Sequence, residues 1–175
     1  MEVKRLIKNS DPLYPEFRKI YDVSFPIFEQ RTEEQQLLAF QSQEYHLDCY
    51  TEEARLIGFI AYWDFGNYLY IEHFAINQTI RSKGYGSFIL KDLEKRKKKR
   101  LLLEIDPVTD EISTSRLHFY QRNGFSENPY PHTHPPYRDG FKGHKLVVLT
   151  TNGQITAEEY KQFNTDLTTC VMNFK

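Results

Sequence analysis

The stretch Tyr68–Leu93, YLYIEHFAINQTIRSKGYGSFILKDL, narrows the folds open to this chain more than any other. Leu69 to Ile76 is mostly apolar and rich in aromatic and β-branched residues, which suits a buried strand. Asn77 to Lys83 is polar and holds two cations, Arg81 and Lys83. Gly84 and Gly86 flank Tyr85, and Phe88, Ile89 and Leu93 follow at helical spacing as one apolar stripe. The order is strand, short loop, helix. The first turn of a helix has backbone N–H groups without intrahelical partners, and the dipole adds partial positive charge there. Glycines let a ligand approach the backbone closely. With Arg81 and Lys83 beside it, the junction suits a phosphate or pyrophosphate. A lone Gly-x-Gly is more often an ordinary helix start.

The wider pattern is more specific. Arg81-Ser-Lys-Gly84-Tyr-Gly86 fits R/Q-x-x-G-x-G/A and resembles the pyrophosphate loop of the GNAT superfamily of acyl-CoA-dependent N-acyltransferases. The preceding Phe74-Ala75-Ile76 is similar to that family, and so is Arg116-Leu-His-Phe-Tyr120-Gln-Arg-Asn-Gly124-Phe125, a helix–turn–strand ending in Tyr-x-x-x-Gly-Phe. The resemblance spans roughly residues 55 to 126. It implies acetyl-CoA lying in a V between two splayed parallel strands, Tyr68–Ile76 and Leu101–Ile105. Backbone groups of Phe74, Ala75 and Ile76 would bind the pantetheine arm, and one N–H would polarise the thioester carbonyl. Main-chain atoms of Arg81, Ser82, Lys83, Gly84, Tyr85 and Gly86, running into Ser87, would take the pyrophosphate. Tyr120 matches the family's helix tyrosine, placed to protonate the departing sulfur. The loop and helix pair after the first strand would border the acceptor pocket, where Phe25, Phe28 and Arg31 could touch substrate, though core packing is the first expectation for the two phenylalanines. Many family members carry Asn seven residues before the helix tyrosine; here that position is Ser113, so pantetheine contacts from that end are not expected.

Acyl transfer to an amine also needs a base. Glu72 and Glu104 are both carboxylates within apolar strands, where burial should raise the pKa toward the working range. Strand position in the family allows either, and a water chain is a third route. His73 follows Glu72 directly and, by strand alternation, should point to the opposite face.

The rest of the chain supplies the frame. Glu2 to Ile7 reads as a strand, Asp11-Pro12 as a helix start, and Thr32-Glu-Glu-Gln35 as a capping box opening a second helix. Tyr45 to Tyr50 and Arg55 to Trp63 read as strands of a hairpin, and Asp64-Phe-Gly66-Asn67 as the turn into the Tyr68 strand, giving an antiparallel meander. A helix from about Gly84 to Lys99 crosses over to Leu101–Ile105, which fixes a parallel pair. Ser113 or Thr114 is expected to cap the next helix, Lys145 to Thr150 is the last clear strand, and Thr156-Ala-Glu-Glu159 opens a tail helix expected on the sheet edge. The fold class is therefore α/β of α+β type: a mixed, mostly antiparallel central sheet with helices on both faces, one domain over residues 1–175.

Asn128–Gly140 is rich in proline and histidine. His132 and His134, with His144 later, can face one ligand, but no cysteine or carboxylate cluster completes a metal set. Prolines stiffen the segment, so it reads as a rigid pocket wall with His134 and Tyr137 toward substrate, and no metal is expected. Lys95–Arg100 is six cations in a row, read as a solvated helix end. A net charge of −1 gives no general pull toward nucleic acid or membrane. There is no apolar run of transmembrane length and no signal peptide, and the two cysteines lack metal spacing, so a cytoplasmic protein with reduced thiols is expected. The expected activity is acetyl transfer from acetyl-CoA to a primary amine of a small molecule or peptide, with a non-catalytic acyl-CoA sensor on the same fold as the alternative. The expected partner is that acceptor amine, with no nucleic acid or membrane and a homodimer left open.

Overall fold

Eight strands and five helices follow one another in a computed structural model that describes residues 1–80 and 83–175. β1 (Glu2–Leu6) is followed by α1 (Tyr14–Ser24) and α2 (Glu33–Gln41), then by β2 (Tyr45–Glu52), β3 (Arg55–Asp64) and β4 (Tyr68–Ile76). These four strands pair antiparallel in the order β1-β2-β3-β4. The β2–β3 hairpin turns on Glu53 and Ala54 at φ 51° and 63°, the left-handed backbone a tight two-residue turn demands. α3 (Tyr85–Lys97) then crosses to β5 (Arg100–Ile105), parallel to β4. After α4 (Glu111–Arg122) come β6 (Phe125–Glu127), β7 (His132–His134) and β8 (His144–Thr151), and β8 pairs with β5, β6 and β7. α5 (Ala157–Asp166) continues as a π-helical turn, Leu167–Val171.

Alternation along β3 sorts the core into two layers. Phe59, Ala61 and Trp63 pack with Phe17 and Tyr21 of α1 and with Phe163, Leu167 and Val171. Ile60 and Tyr62 face the other way, against Ile89, Leu90 and Leu93 of α3 and Leu117 of α4. Helices thus cover both faces, as expected. The tail helix does not sit on the sheet edge. Its Phe163 and the following Leu167 are fully buried on the α1 face, in the same core cluster as Phe17 and Tyr21.

Four helix starts are instructive. Thr32 and Thr156 make complete capping boxes with Gln35 and Glu159. Asp11 does not cap α1: its carboxylate accepts from Leu13 N–H at 2.9 Å in a preceding turn, and the helix begins at Tyr14 with proline in its first turn. α4 is capped by Asp110 rather than by Ser113 or Thr114. Ser113 is the third helical residue and reciprocates the cap, its N–H donating to Asp110 at 2.8 Å and its hydroxyl accepting from the Asp110 N–H at 3.1 Å.

β4 carries the feature that opens the sheet. Ala61 lies opposite His73 and Tyr62 opposite Ile71, so Glu72 is an extra residue, a β-bulge. β4 and β5 share only the pairs Tyr68–Arg100, Leu69–Leu101 and Tyr70–Leu102. Beyond them no rung forms among the described residues, although β4 runs on to Ile76 and β5 to Ile105. A bulge bends and twists its strand, and here the bend accompanies the parting of the two strands.

Candidate active site

The parted strands form the walls of a cleft of about 860 Å³, lined by Tyr70 to Ile76 of β4, Leu103 to Ile105 of β5, the start of α3 and Tyr120 of α4. On the α1 side it is closed by Phe25, Phe28, Glu29, Tyr137, His134 and His144. The cleft therefore runs through the sheet from one layer to the other.

At the phosphate end, Gly84 caps α3 in the left-handed conformation, φ 75°, which glycine adopts without strain. Among the described residues nothing lies within 4 Å of where a side chain would begin at Gly84. Gly86 is tighter, since a Cβ there would meet the Phe119 ring at 3.1 Å. Glycine at this position lets the helix settle onto Phe119 and Phe74. Tyr85 and Ser87 also line the cleft. The Tyr85 hydroxyl donates to Glu52 at 2.8 Å, and Ser87 accepts from Asn123 at 3.1 Å. Lys83 is exposed and does not line the cleft, and Arg81 and Ser82 lie outside the described residues.

Tyr120 packs edge-on to Phe119 and Phe125, and its hydroxyl has no hydrogen-bond partner among the described residues. Burial pushes its pKa to about 12, with the Arg116 charge opposing. It is a protonated donor facing the cleft.

The two glutamates are not equivalent, and neither behaves as burial alone dictates. Glu72 accepts from Arg31 Nε and Nη2 at 2.8 and 3.0 Å, from Trp63 Nε1 at 2.8 Å and from the Tyr137 hydroxyl at 2.8 Å. Four donors occupy the four lone-pair positions of a carboxylate. Burial opposes its ionisation, but the charges of Arg31 and His73 and the bonds from Arg31 and Trp63 hold its pKa at about 2. Arg31, placed by sequence at the substrate, is instead 1% exposed and spends its remaining donors on the carbonyls of Val171 and Gln35. It is absent from the cleft wall because a buried guanidinium requires a buried carboxylate, and Glu72 is that partner. The bulge also overturns the alternation expected at His73. Its ring lies 3.7 Å from the Glu72 carboxylate, on the same face. Its Nε2 meets the Glu29 carbonyl at 2.8 Å.

Glu104 keeps free acceptor positions. It takes one bond from the Tyr70 hydroxyl and one, at 2.5 Å, from His132 Nε2. Burial raises its pKa, but the nearby imidazoles of His134 and His132, the His132 bond and the Tyr70 hydroxyl together lower it. The sequence reading named both carboxylates and missed His132, whose only sequence signal was its place in the His/Pro segment. That segment is not all loop: His132–His134 forms β7, and the His134 ring meets the Pro135 carbonyl at 2.7 Å.

A third cluster lies at the rim on the α1 side. Asp106 accepts from Arg116 at 3.2 Å and from His144 Nε2 at 2.9 Å, and Glu29 lies 3.8 Å from His144. Glu29, Asp106 and His144 each bring one ligand atom within 4.8 Å of the others. Burial, then the Asp106 charge, raises the Glu29 pKa.

The sequence profile of the Acetyltransferase (GNAT) family matches residues 13–125. The Bacillus subtilis (strain 168) protein YjbC, provisionally named an acetyltransferase, is 31% identical over 105 residues, 58% of this chain and 52% of that one. The chain thus spans about half the length of this curated relative. A solved structure from Bacteroides thetaiotaomicron, provisionally named a GNAT-family acetyltransferase, superposes with a TM-score of 0.89 at 29% identity, covering 98% of both chains. A GNAT-family acetyltransferase from Elizabethkingia anophelis, solved with acetyl-CoA bound, superposes with a TM-score of 0.54 at 18% identity over 86% of this chain and 97% of that one. At that identity the likeness concerns the fold.

Proposed function

The chain belongs to the GNAT acetyltransferase family, and from that premise we propose that it transfers the acetyl group of acetyl-CoA to a primary amine by direct attack. The observation that carries the reading is the cleft between β4 and β5, where one space is bordered by the N-terminus of α3, the Tyr120 hydroxyl and the Glu104 carboxylate. The N–H groups at Gly84 to Ser87 bind the pyrophosphate, with Arg81, Ser82 and Lys83 completing the loop. The strand end Phe74–Ile76 holds the pantetheine arm and polarises the carbonyl. The amine enters from the side of Phe28, His134 and Tyr137. Glu104 takes its proton, nitrogen bonds to the acetyl carbon, the carbon–sulfur bond breaks, and Tyr120 gives its proton to sulfur. Glu72 shapes this wall and does not exchange protons. The tail helix shares a core layer with α1, which supports one domain over residues 1–175.

The test is a panel of amines (spermidine, kanamycin, single amino acids and a peptide with a free N-terminus) with acetyl-CoA, read by release of free CoA. Turnover of any one supports the enzyme. Acetyl-CoA binding with no turnover on any of them favours the sensor.

A further inference from the structure

The Glu104 carboxylate is held from outside the segment that matches the family. His132 and Tyr160 both follow Phe125, where the match ends. Glu104 lies opposite Val148 on β8 and His132 opposite Leu146, two residues apart and therefore on one face. The His132 side chain is 0% exposed and its Nε2 sits 2.5 Å from Glu104. Its other nitrogen, Nδ1, lies 2.8 Å from the Tyr160 hydroxyl of α5. The ring is walled by Phe163 and stands edge-on to Tyr160, which stacks in turn on Tyr130. Tyr160 itself is half-buried, with the Pro131 carbonyl 3.2 Å from its hydroxyl.

We infer that His132 and Tyr160 form a brace that orients the Glu104 carboxylate for taking the acceptor's proton. This rests on the reading of Glu104 as the base. An ionised carboxylate only accepts, so Nε2 carries the hydrogen and Nδ1 of the neutral ring accepts from Tyr160. Tyr160 thereby fixes which nitrogen is protonated, and the bond to the ring keeps Glu104 turned toward the cleft. The hydroxyl has a second acceptor in Pro131, so the brace also survives protonation of the ring: Nδ1–H then donates to Tyr160 and Tyr160 to the carbonyl. His132 and Tyr160 are positioning residues, since neither lines the cleft.

The groups acting on Glu104 are Tyr70 of β4, His132 and His134 of β7 and Tyr160 of α5, and Glu72 and Tyr137 lie beside Tyr70 in turn. Losing the His132 donor from a buried carboxylate should raise the Glu104 pKa.

Two measurements test this. In the unliganded protein, nitrogen-15 NMR of His132 should show the Nε2–H form near neutral pH, and a side-chain carbon-13 titration of Glu104 should move up in His132→Leu and less in Tyr160→Phe. His132→Gln, which restores an N–H donor, should bring it back toward the parent. Finding Nδ1–H on His132, or an unmoved Glu104 in a folded His132→Leu, overturns the brace. With whichever panel amine turns over fastest, the acid limb of kcat should shift in the same direction in His132→Leu. Glu104→Gln separates the two ideas. If it keeps the parent's acid limb, Glu104 is not the base, and the NMR result still decides whether the brace exists. If it loses the limb while His132→Leu leaves the limb in place, the base reading stands and the brace is overturned.

Discussion

Arg31 and Glu72 face each other with two hydrogen bonds of 2.8 and 3.0 Å, and their side chains are 1% and 0% exposed. A pair this far from water is costly to make and more costly to break. The pair ties the loop before α2 and the Val171 carbonyl to the bulge of β4.

Removing one partner strands the other. Arg31→Met should cost about 3–5 kcal/mol of unfolding free energy, read from urea midpoints. The pH dependence has a definite sign. Glu72 folds with a pKa near 2 against about 4.3 for a free glutamate, so its contribution is complete above about pH 5 and is lost as pH falls toward 2. Glu72→Gln should flatten that acid slope. An unchanged slope between pH 5 and 3 would show that Glu72 is not ionised in the fold.

Gly84→Asp should fold, because no described residue crowds Gly84 and aspartate tolerates a left-handed backbone better than most residues. It places a negative charge at the mouth of α3. Affinity for acetyl-CoA by titration calorimetry should fall at least roughly tenfold, about 1.4 kcal/mol. Unchanged affinity in the folded variant removes the loop from the binding site.

The cationic run at the far end of α3 is partly committed already. Arg96 pairs with Asp92 and Asp48, and Lys99 with Asp64. Replacing Lys97 and Lys98 together by glutamate should leave acetyl-CoA affinity within about twofold, because salt screens charges separated by a helix length. Salt-sensitive binding of the parent to a DNA duplex would contradict this.

Tyr120→Phe removes one oxygen and leaves the ring packed on Phe119 and Phe125, so stability should hold. With a confirmed acceptor at saturating acetyl-CoA, kcat should fall by on the order of 10²-fold, the scale of a lost general acid. A rate within about twofold of the parent excludes Tyr120 from proton transfer.

What the sequence made legible was local. The strand Tyr68–Ile76, the helix start at Gly84 and the capping boxes at Thr32 and Thr156 each rest on residues within a turn or two of one another. What it hid depends on partners far along the chain. Arg31 meets Glu72 41 residues away and His132 meets Glu104 28 away, and neither pairing leaves a periodic trace. The bulge is the sharpest case. A period of two put Glu72 and His73 on opposite faces, and one extra residue in β4 cancelled that rule at the position where it mattered. The expected rise in both glutamate pKa values failed for the same reason, since burial was visible in the sequence and the compensating partners were not.

β8 joins β5, β6 and β7, and it reaches them only after α4 and both short strands have been made. The hairpins β2–β3 and β3–β4 close over short turns, whereas β5 waits for a strand that returns from much farther along the chain, and distant contacts form late. The two walls of the cleft therefore have different ages. The β4 wall, with its bulge, matures with the meander, while Glu104 and His132 arrive together when β8 docks. Pulse-labelled hydrogen exchange during refolding should protect Tyr45–Ile76 before Leu102–Ile105, and equal protection rates would show that the two walls form together.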